Sequence, residues 1–157
     1  MNPGNRNSFR AAMTLGVALV LSASGAAFAQ TATKPEAIAM VKSAVAALKG
    51  GPDDAVFKDI SNPKGKYAKG DLYLVAYDMT GKVLAHGFNQ SLIGRDLTKA
   101  KDPDGKSYVQ ERIDMAKTQK SFWQSYRYLD PLTHSLRLKD SYCERTGDTI
   151  VCGGVYH

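Results

Sequence analysis

The stretch Lys139-Asp140-Ser141-Tyr142-Cys143-Glu144-Arg145-Thr146-Gly147-Asp148-Thr149-Ile150-Val151-Cys152-Gly153-Gly154-Val155-Tyr156 decides the fold, because it reads as a hairpin whose register can be counted. Gly147-Asp148 is a two-residue turn signal, with glycine at the first central position, where a type II′ turn needs positive φ. Strands closing on that turn pair Thr146 with Thr149, Arg145 with Ile150, Glu144 with Val151 and Cys143 with Cys152. Pairs alternate outward between hydrogen-bonded and non-hydrogen-bonded sites, and Cys143/Cys152 falls on the second kind, where side chains stand closest. Such a pair can reach the Cα separation of roughly 4.4–6.8 Å that a disulfide requires. Two buried free thiols are the alternative, and the compartment decides between them.

Extending the register puts Ser141 opposite Gly154 and Lys139 opposite Tyr156, on the same face as the cysteines. Gly153 and Gly154 leave space above the strand for a ligand or another backbone, and a lysine beside that space could anchor an anion. The alternative is a solvated strand lysine with a bulge at the glycines. Phe122 to Leu129 precedes the hairpin as a third strand. Alternation sets Phe122, Gln124, Tyr126 and Tyr128 on one face and Trp123, Ser125, Arg127 and Leu129 on the other. The two tyrosines in line either present hydroxyls to a small polar ligand or form core packing with wet hydroxyl ends. Asp130-Pro131-Leu132-Thr133 turns the chain into the strand from Leu136 to Arg145, with His134 solvated in the turn.

The amino terminus reads as an export signal. Arg6 and Arg10 form a basic region, Ala11 to Leu21 an apolar run, and Ala27-Phe28-Ala29 a small-x-small cleavage site, so residues 1–29 are expected to be removed and Gln30 to begin the mature protein. An uncleaved anchor is the competing reading, but the apolar run is short for a membrane span. Export implies a periplasmic or secreted location and favours the disulfide. Residues 30–157 are enough chain for one domain and one core. Taking away Arg6 and Arg10 lowers the basic count from 21 to 19 against 15 acids, and the formal charge from +6 to +4. The basic residues are scattered, with no run or aromatic-basic patch to track phosphates, which argues against nucleic acid.

Between signal and hairpin, Thr33-Lys34-Pro35-Glu36 has the form of a capping box. Ile38, Val41, Val45 and Leu48 then predict an amphipathic helix closed by Gly50-Gly51-Pro52, packed on a sheet or on a partner helix. Asp53 to Ile60 predicts a short second helix with Val56, Phe57 and Ile60 inward, broken by Ser61-Asn62-Pro63-Lys64-Gly65. Leu72 to Tyr77 is apolar on both faces and reads as a central strand; Asp78-Met79-Thr80-Gly81 turns it into Lys82 to His86. A lone histidine such as His86 is more often a hydrogen-bonded structural residue than a ligand contact. Residues 88–107 form a long connection of the sort that lies over binding sites. Asp102-Pro103-Asp104-Gly105 resembles a calcium loop only superficially, since Ile113 stands where the closing glutamate belongs, and it reads instead as an Asp-Pro turn. A helix from near Ser107, with Gln110 placed to complete its cap and Val109, Ile113 and Ala116 as its stripe, leads to the third strand.

Helix, short helix, two strands, loop and helix, then three strands predict an α+β domain with an antiparallel sheet and helical cover. In that order Gly70-Asp71-Leu72-Tyr73, Tyr77 to His86, Leu92-Ile93-Gly94, Asp102 to Lys106, Trp123 to Tyr126, Asp130-Pro131, Lys139 to Tyr142 and Gly153 to Tyr156 resemble the segments of a single Cache domain, an extracytoplasmic relative of the PAS fold. The resemblance implies a five- or six-stranded antiparallel sheet, a long N-terminal helix behind it, and a pocket beneath the loop-helix cover that takes small molecules, often short organic acids. It places Lys139, Tyr126, His86, Tyr73, Tyr142 and Trp123 at or near that pocket. Lys139 and Tyr142 are three residues apart and face opposite sides of the sheet unless a bulge intervenes. The family pattern is departed from where Gly87 follows His86 in place of proline, and where Ser121-Phe122 replaces a glycine-rich approach to Trp123. Cache domains usually sit on membrane receptors, so a chain whose last strand ends at Tyr156 is expected to need a partner.

Two functions follow. One is a soluble extracytoplasmic module that binds a small molecule, with a carboxylate favoured: Lys139 supplies charge, Tyr126 and Tyr73 supply hydroxyls, and His86 a donor strengthened by protonation. The other is an interaction protein that docks on a membrane-bound signalling partner or forms a homodimer through its N-terminal helix. No nucleophile set, metal spacing, haem motif or phosphate loop points to an enzyme or to a cofactor.

Overall fold

The computed structural model describes residue 1 and residues 31–157. The export signal and the start at Gln30 lie outside the described residues. Among the described residues the architecture is α+β, with a six-stranded antiparallel sheet and three α-helices. Helix α1 (Lys34–Ala47) begins at the capping box: the Glu36 amide donates to Thr33 Oγ1 and the Thr33 amide donates to Glu36 Oε2 at 2.9 Å. Its buried positions Ala37, Val41, Ala44 and Val45 include two alanines, which bring the helix axis close to the sheet. Helix α2 (Asp54–Ile60) is capped by Asp53, whose Oδ1 accepts from the Ala55 amide at 2.7 Å; Val56 and Ile60 are buried, and Phe57 only partly.

Strands β1 (Ala68–Lys69), β2 (Leu72–Asp78), β3 (Val83–His86), β4 (Ser121–Leu129), β5 (Leu136–Thr146) and β6 (Thr149–Tyr156) pair in the order β1-β2-β6-β5-β4, with β3 also on β2. The counted register holds along the whole final hairpin, from Thr146↔Thr149 through Cys143↔Cys152 and Ser141↔Gly154 to Lys139↔Tyr156. Gly147 has the positive φ, +56°, that the turn demands. A disulfide joins Cys143 to Cys152 across a Cα separation of 4.1 Å. It closes a loop only 9 residues apart in sequence, so its expected contribution is about 2–3 kcal/mol. Replacing both cysteines with alanine should lower the denaturation midpoint correspondingly, and thiol titration of the unfolded, unreduced protein should find no free thiol; two free thiols would contradict the pairing.

Two local expectations change. The space above Gly153 and Gly154 is filled by the protein itself: a Cβ on Gly153 would sit 2.6 Å from Leu74 Cδ2 and 3.2 Å from Val41 Cγ2 of α1, and one on Gly154 would meet the Asp140 carbonyl and Lys139 Cε at 2.8 Å. These glycines admit the helix on one face and the Lys139 stem on the other, and the strand carries no bulge there. Helix α3 (Tyr108–Thr118) has no side-chain cap, and Gln110 bonds Asp114 instead of completing one. Asp102 works as the Asp-Pro turn requires, its Oδ1 accepting from the Asp104 and Lys106 amides and its Oδ2 from the Arg127 amide of β4. The two faces of the sheet thus have separate cores, one under α1 and α2 with Leu74, Val151 and Tyr142, the other under α3 and the 87–107 connection with Tyr73, Tyr77, Tyr126 and Ile150. No helix of the described residues is long and apolar enough to cross a membrane.

Candidate functional site

The core beneath α3 holds charge as well as apolar surface. Lys139 on β5 is 2% exposed and Arg112 on α3 is 1% exposed, the only buried lysine and arginine among the described residues. Neither has a carboxylate within ion-pair distance among those residues: the nine salt bridges there involve other cations, and the buried carboxylates Asp71 and Asp130, whose charges reach Lys139 from further away, are engaged elsewhere, Asp71 Oδ1 by the Ala32 amide at 2.8 Å and Asp130 by Arg137 at 2.7 Å. Two buried charges of one sign without a counter-ion are costly, and proteins keep them where function uses them.

Aromatic faces stand in for the missing anions. The Lys139 ammonium lies 3.7 Å from the centroid of Tyr73, 4.8 Å from Tyr156 and 5.8 Å from Tyr128. The Arg112 guanidinium lies 5.0 Å from Tyr77, 5.3 Å from Tyr126 and 5.8 Å from Tyr108. Each such contact recovers only about 0.5–2 kcal/mol. Arg112 Nε donates to Gln124 Oε1 at 3.1 Å, and Gln124 Nε2 donates to the Tyr108 carbonyl at 2.8 Å, which fixes the guanidinium between helix and strand. Among the described residues, Arg112 Nη2 is buried with no partner. A donor left over at the end of a charged fork is what an incoming carboxylate or other oxyanion would engage.

Tyr126 sits between the two cations, as the cross-strand neighbour of Lys139 and 4.7 Å from Tyr108 in a stack. Burial pushes its phenol up, but the Lys139 and Arg112 charges outweigh burial and hold it below the ordinary tyrosine value. Ser141 Oγ donates to its hydroxyl at 3.4 Å. Lys139 is depressed to about 8, first by burial, with the Arg112 charge adding to it. Tyr73 spends its hydroxyl on Tyr156, at 3.1 Å, and Tyr156 donates on to the Leu129 carbonyl at 2.9 Å, so Tyr73 offers Lys139 its ring face.

His86 ends β3 and stacks on Tyr73 at 5.4 Å. Its Nδ1 accepts from the Phe88 and Asn89 amides at 3.2 and 3.0 Å, fixing the start of the covering loop. Burial, with the Lys139 and Arg112 charges behind it, lowers its pKa to about 3. The expected protonated donor is therefore a neutral imidazole that holds the loop. Trp123 and Tyr142 lie on the α1 face, packed together at 5.4 Å, with Lys34 over the indole and the Tyr142 hydroxyl donating to Glu144. β5 keeps unbroken register with both neighbours, so Tyr142 and Lys139 face opposite sides and the sheet separates Trp123 and Tyr142 from the cations. A cleft of about 500 Å³ opens beside Asp102, Tyr108, Tyr128 and Leu136. Tyr108 and Tyr128, 6.1 Å apart edge to face, line it, and their ring centroids lie 5.8 Å from the Arg112 guanidinium and the Lys139 ammonium respectively, so the cleft approaches the buried charges through these rings.

The family follows from the whole chain. The family model described as Single Cache domain 2 matches residues 1–156. The chain belongs to that family. Among solved structures the Cache fold is matched by a methyl-accepting chemotaxis protein from Vibrio parahaemolyticus RIMD 2210633, at 22% identity and TM-score 0.67, over 78% of this chain and 87% of that one. A Cache chemosensory domain described as a structural basis for carboxylic acid recognition matches at 23% identity and TM-score 0.66, over 78% and 91%. The periplasmic sensor domain of a chemotaxis protein matches at 22% identity and TM-score 0.62, over 78% and 88%. At these identities the likeness is one of fold. No curated protein matches the chain.

Proposed function

We propose that this Cache chain is an extracytoplasmic ligand-binding module, exported by residues 1–29 and folded as one domain from residue 30, whose ligand is a short organic acid. One observation carries the reading: Arg112 and Lys139 are buried on either side of Tyr126 with no carboxylate in ion-pair contact among the described residues, where Arg112 Nη2 also has no partner. A carboxylate supplies the missing charge and accepts from the free donor. That a Cache domain of similar fold is described for carboxylic acid recognition supports the ligand class. The module is not an enzyme on this reading, and it acts through a membrane-bound signalling partner or a second copy of itself.

The test is a thermal-shift series with acetate, propionate, lactate, pyruvate and succinate against amines and neutral amino acids. A fitting acid at about 100 times its dissociation constant adds roughly 2.7 kcal/mol, a rise of several degrees. Lys139→Ala should retain cooperative unfolding and lose that rise. An unchanged response in Lys139→Ala, or a response confined to amines, would reject the carboxylate reading.

A further inference from the structure

Lys139 differs from a lysine that merely supplies charge. Its Nζ makes no hydrogen bond and no ion pair among the described residues, although the side chain is buried, and its immediate surroundings are ring faces, led by Tyr73 at 3.7 Å. Ring faces exclude water from an amine without hydrogen-bonding its lone pair. A lysine desolvated in an apolar pocket beside a second fixed cation is the setting in which the free amine becomes an accessible nucleophile. Arg112 is that second cation, and its Nη2, buried without a partner among the described residues, can fix an acid group.

From this pairing of an unpartnered amine with a carboxylate anchor across Tyr126, we infer that the site captures 2-oxo acids covalently, as a Schiff base on Lys139. This rests on the carboxylate reading of the site and narrows its ligand to acids with a carbonyl beside the carboxylate. The Arg112 fork holds the carboxylate. The Lys139 lone pair attacks the adjacent carbonyl carbon, and a proton passes from nitrogen to the carbonyl oxygen to give the carbinolamine. The carbinolamine oxygen takes a second proton and leaves as water, with formation of the C=N bond. One amine and one ketone thus give one imine and one water, with no oxidant or reductant. The depression of Lys139 to about 8 leaves a usable fraction of free amine near neutral pH. The tyrosines around it keep bulk water from the imine, and the reversible bond lengthens ligand residence without requiring turnover.

The experiment uses the purified full chain with glyoxylate, pyruvate or 2-oxobutyrate and cyanoborohydride, which reduces imines in preference to ketones, followed by intact mass and peptide mapping. The expected product is a saturable adduct on the peptide containing Lys139, heavier by the acid less one oxygen atom, above a slower, non-saturating background on exposed lysines. Propionate should compete it away. Arg112→Met should slow labelling of Lys139 by about tenfold or more, the worth of one charge-assisted hydrogen bond, while exposed lysines label as before. Lys139→Arg should remove the adduct; if that variant does not fold, fragmentation of the wild-type peptide locates the modified lysine. A 2-oxo acid that stabilises the protein but leaves Lys139 unlabelled overturns the covalent step and leaves the carboxylate reading standing. No stabilisation and no adduct with any acid overturns both.

Discussion

Arg112→Met is expected to raise the unfolding temperature of the unliganded protein while abolishing its response to carboxylates. The guanidinium is buried, has no counter-ion among the described residues and leaves Nη2 unpartnered, and the desolvation of such an ion costs several kcal/mol. Against that stand three ring contacts of about 0.5–2 kcal/mol each and one hydrogen bond that Arg112 donates to Gln124, which offset part of the penalty. Methionine fills much of the same space and keeps contact with the rings of Tyr77, Tyr108 and Tyr126. The loss of a donor to Gln124 Oε1 subtracts about 1 kcal/mol, so a net gain of about 1–2 kcal/mol is expected, a few degrees in unfolding temperature. Calorimetry with and without acid separates the two effects. A variant that is less stable and still responds would mean that Arg112 is a packing element and that the anion binds elsewhere.

The contrast between Lys139 and Arg112 shows what the sequence made legible. Lys139 lies on a hairpin whose turn dipeptide fixes every pair, so its face and its neighbour Tyr156 follow by counting. Arg112 sits in a helix stripe with Tyr108, Val109, Ile113 and Ala116, and the periodicity that reveals the stripe also places the arginine on its buried side. That signal was present, but a stripe is ordinarily read for its apolar members and an arginine in it passes for an interruption. Trp123 and Tyr142 were placed near the pocket by resemblance, whereas simple alternation put them on the far face, and the local rule prevailed because neither β4 nor β5 carries a bulge. The occupancy of the space at Gly153 was not legible, since it depends on how closely α1 approaches, a tertiary distance set by Ala37, Val41 and Ala44 together. The pair Ala68–Lys69 was missed as a strand because two residues carry no periodicity.

Stability should fall steeply as pH drops from about 6.5 toward 3, and His86 should account for much of the fall. Its pKa in the folded protein is about 3, against an ordinary 6.5, because burial and the neighbouring Lys139 and Arg112 charges oppose a third positive charge. Above pH 6.5 the imidazole is neutral in both states and contributes no pH dependence. Between 6.5 and 3 the unfolded chain binds the proton and the folded protein does not, so the unfolded state gains and stability decreases with falling pH. At pH 4 this amounts to roughly 3 kcal/mol, at about 1.4 kcal/mol per unit of separation. Asp78, Asp102, Asp130 and Asp140 are held below the usual carboxylate value by hydrogen bonds and ion pairs that outweigh burial, so their contribution is present above about 4 and lost below it. The two causes therefore occupy different windows. His86→Asn keeps an acceptor for the Phe88 and Asn89 amides but does not titrate, so it should flatten the profile between pH 6.5 and 4 and leave the carboxylate limb intact. Denaturant midpoints measured at half-unit steps would resolve this. A variant whose profile still falls by several kcal/mol between pH 6.5 and 4 would show that a group other than His86 governs that window.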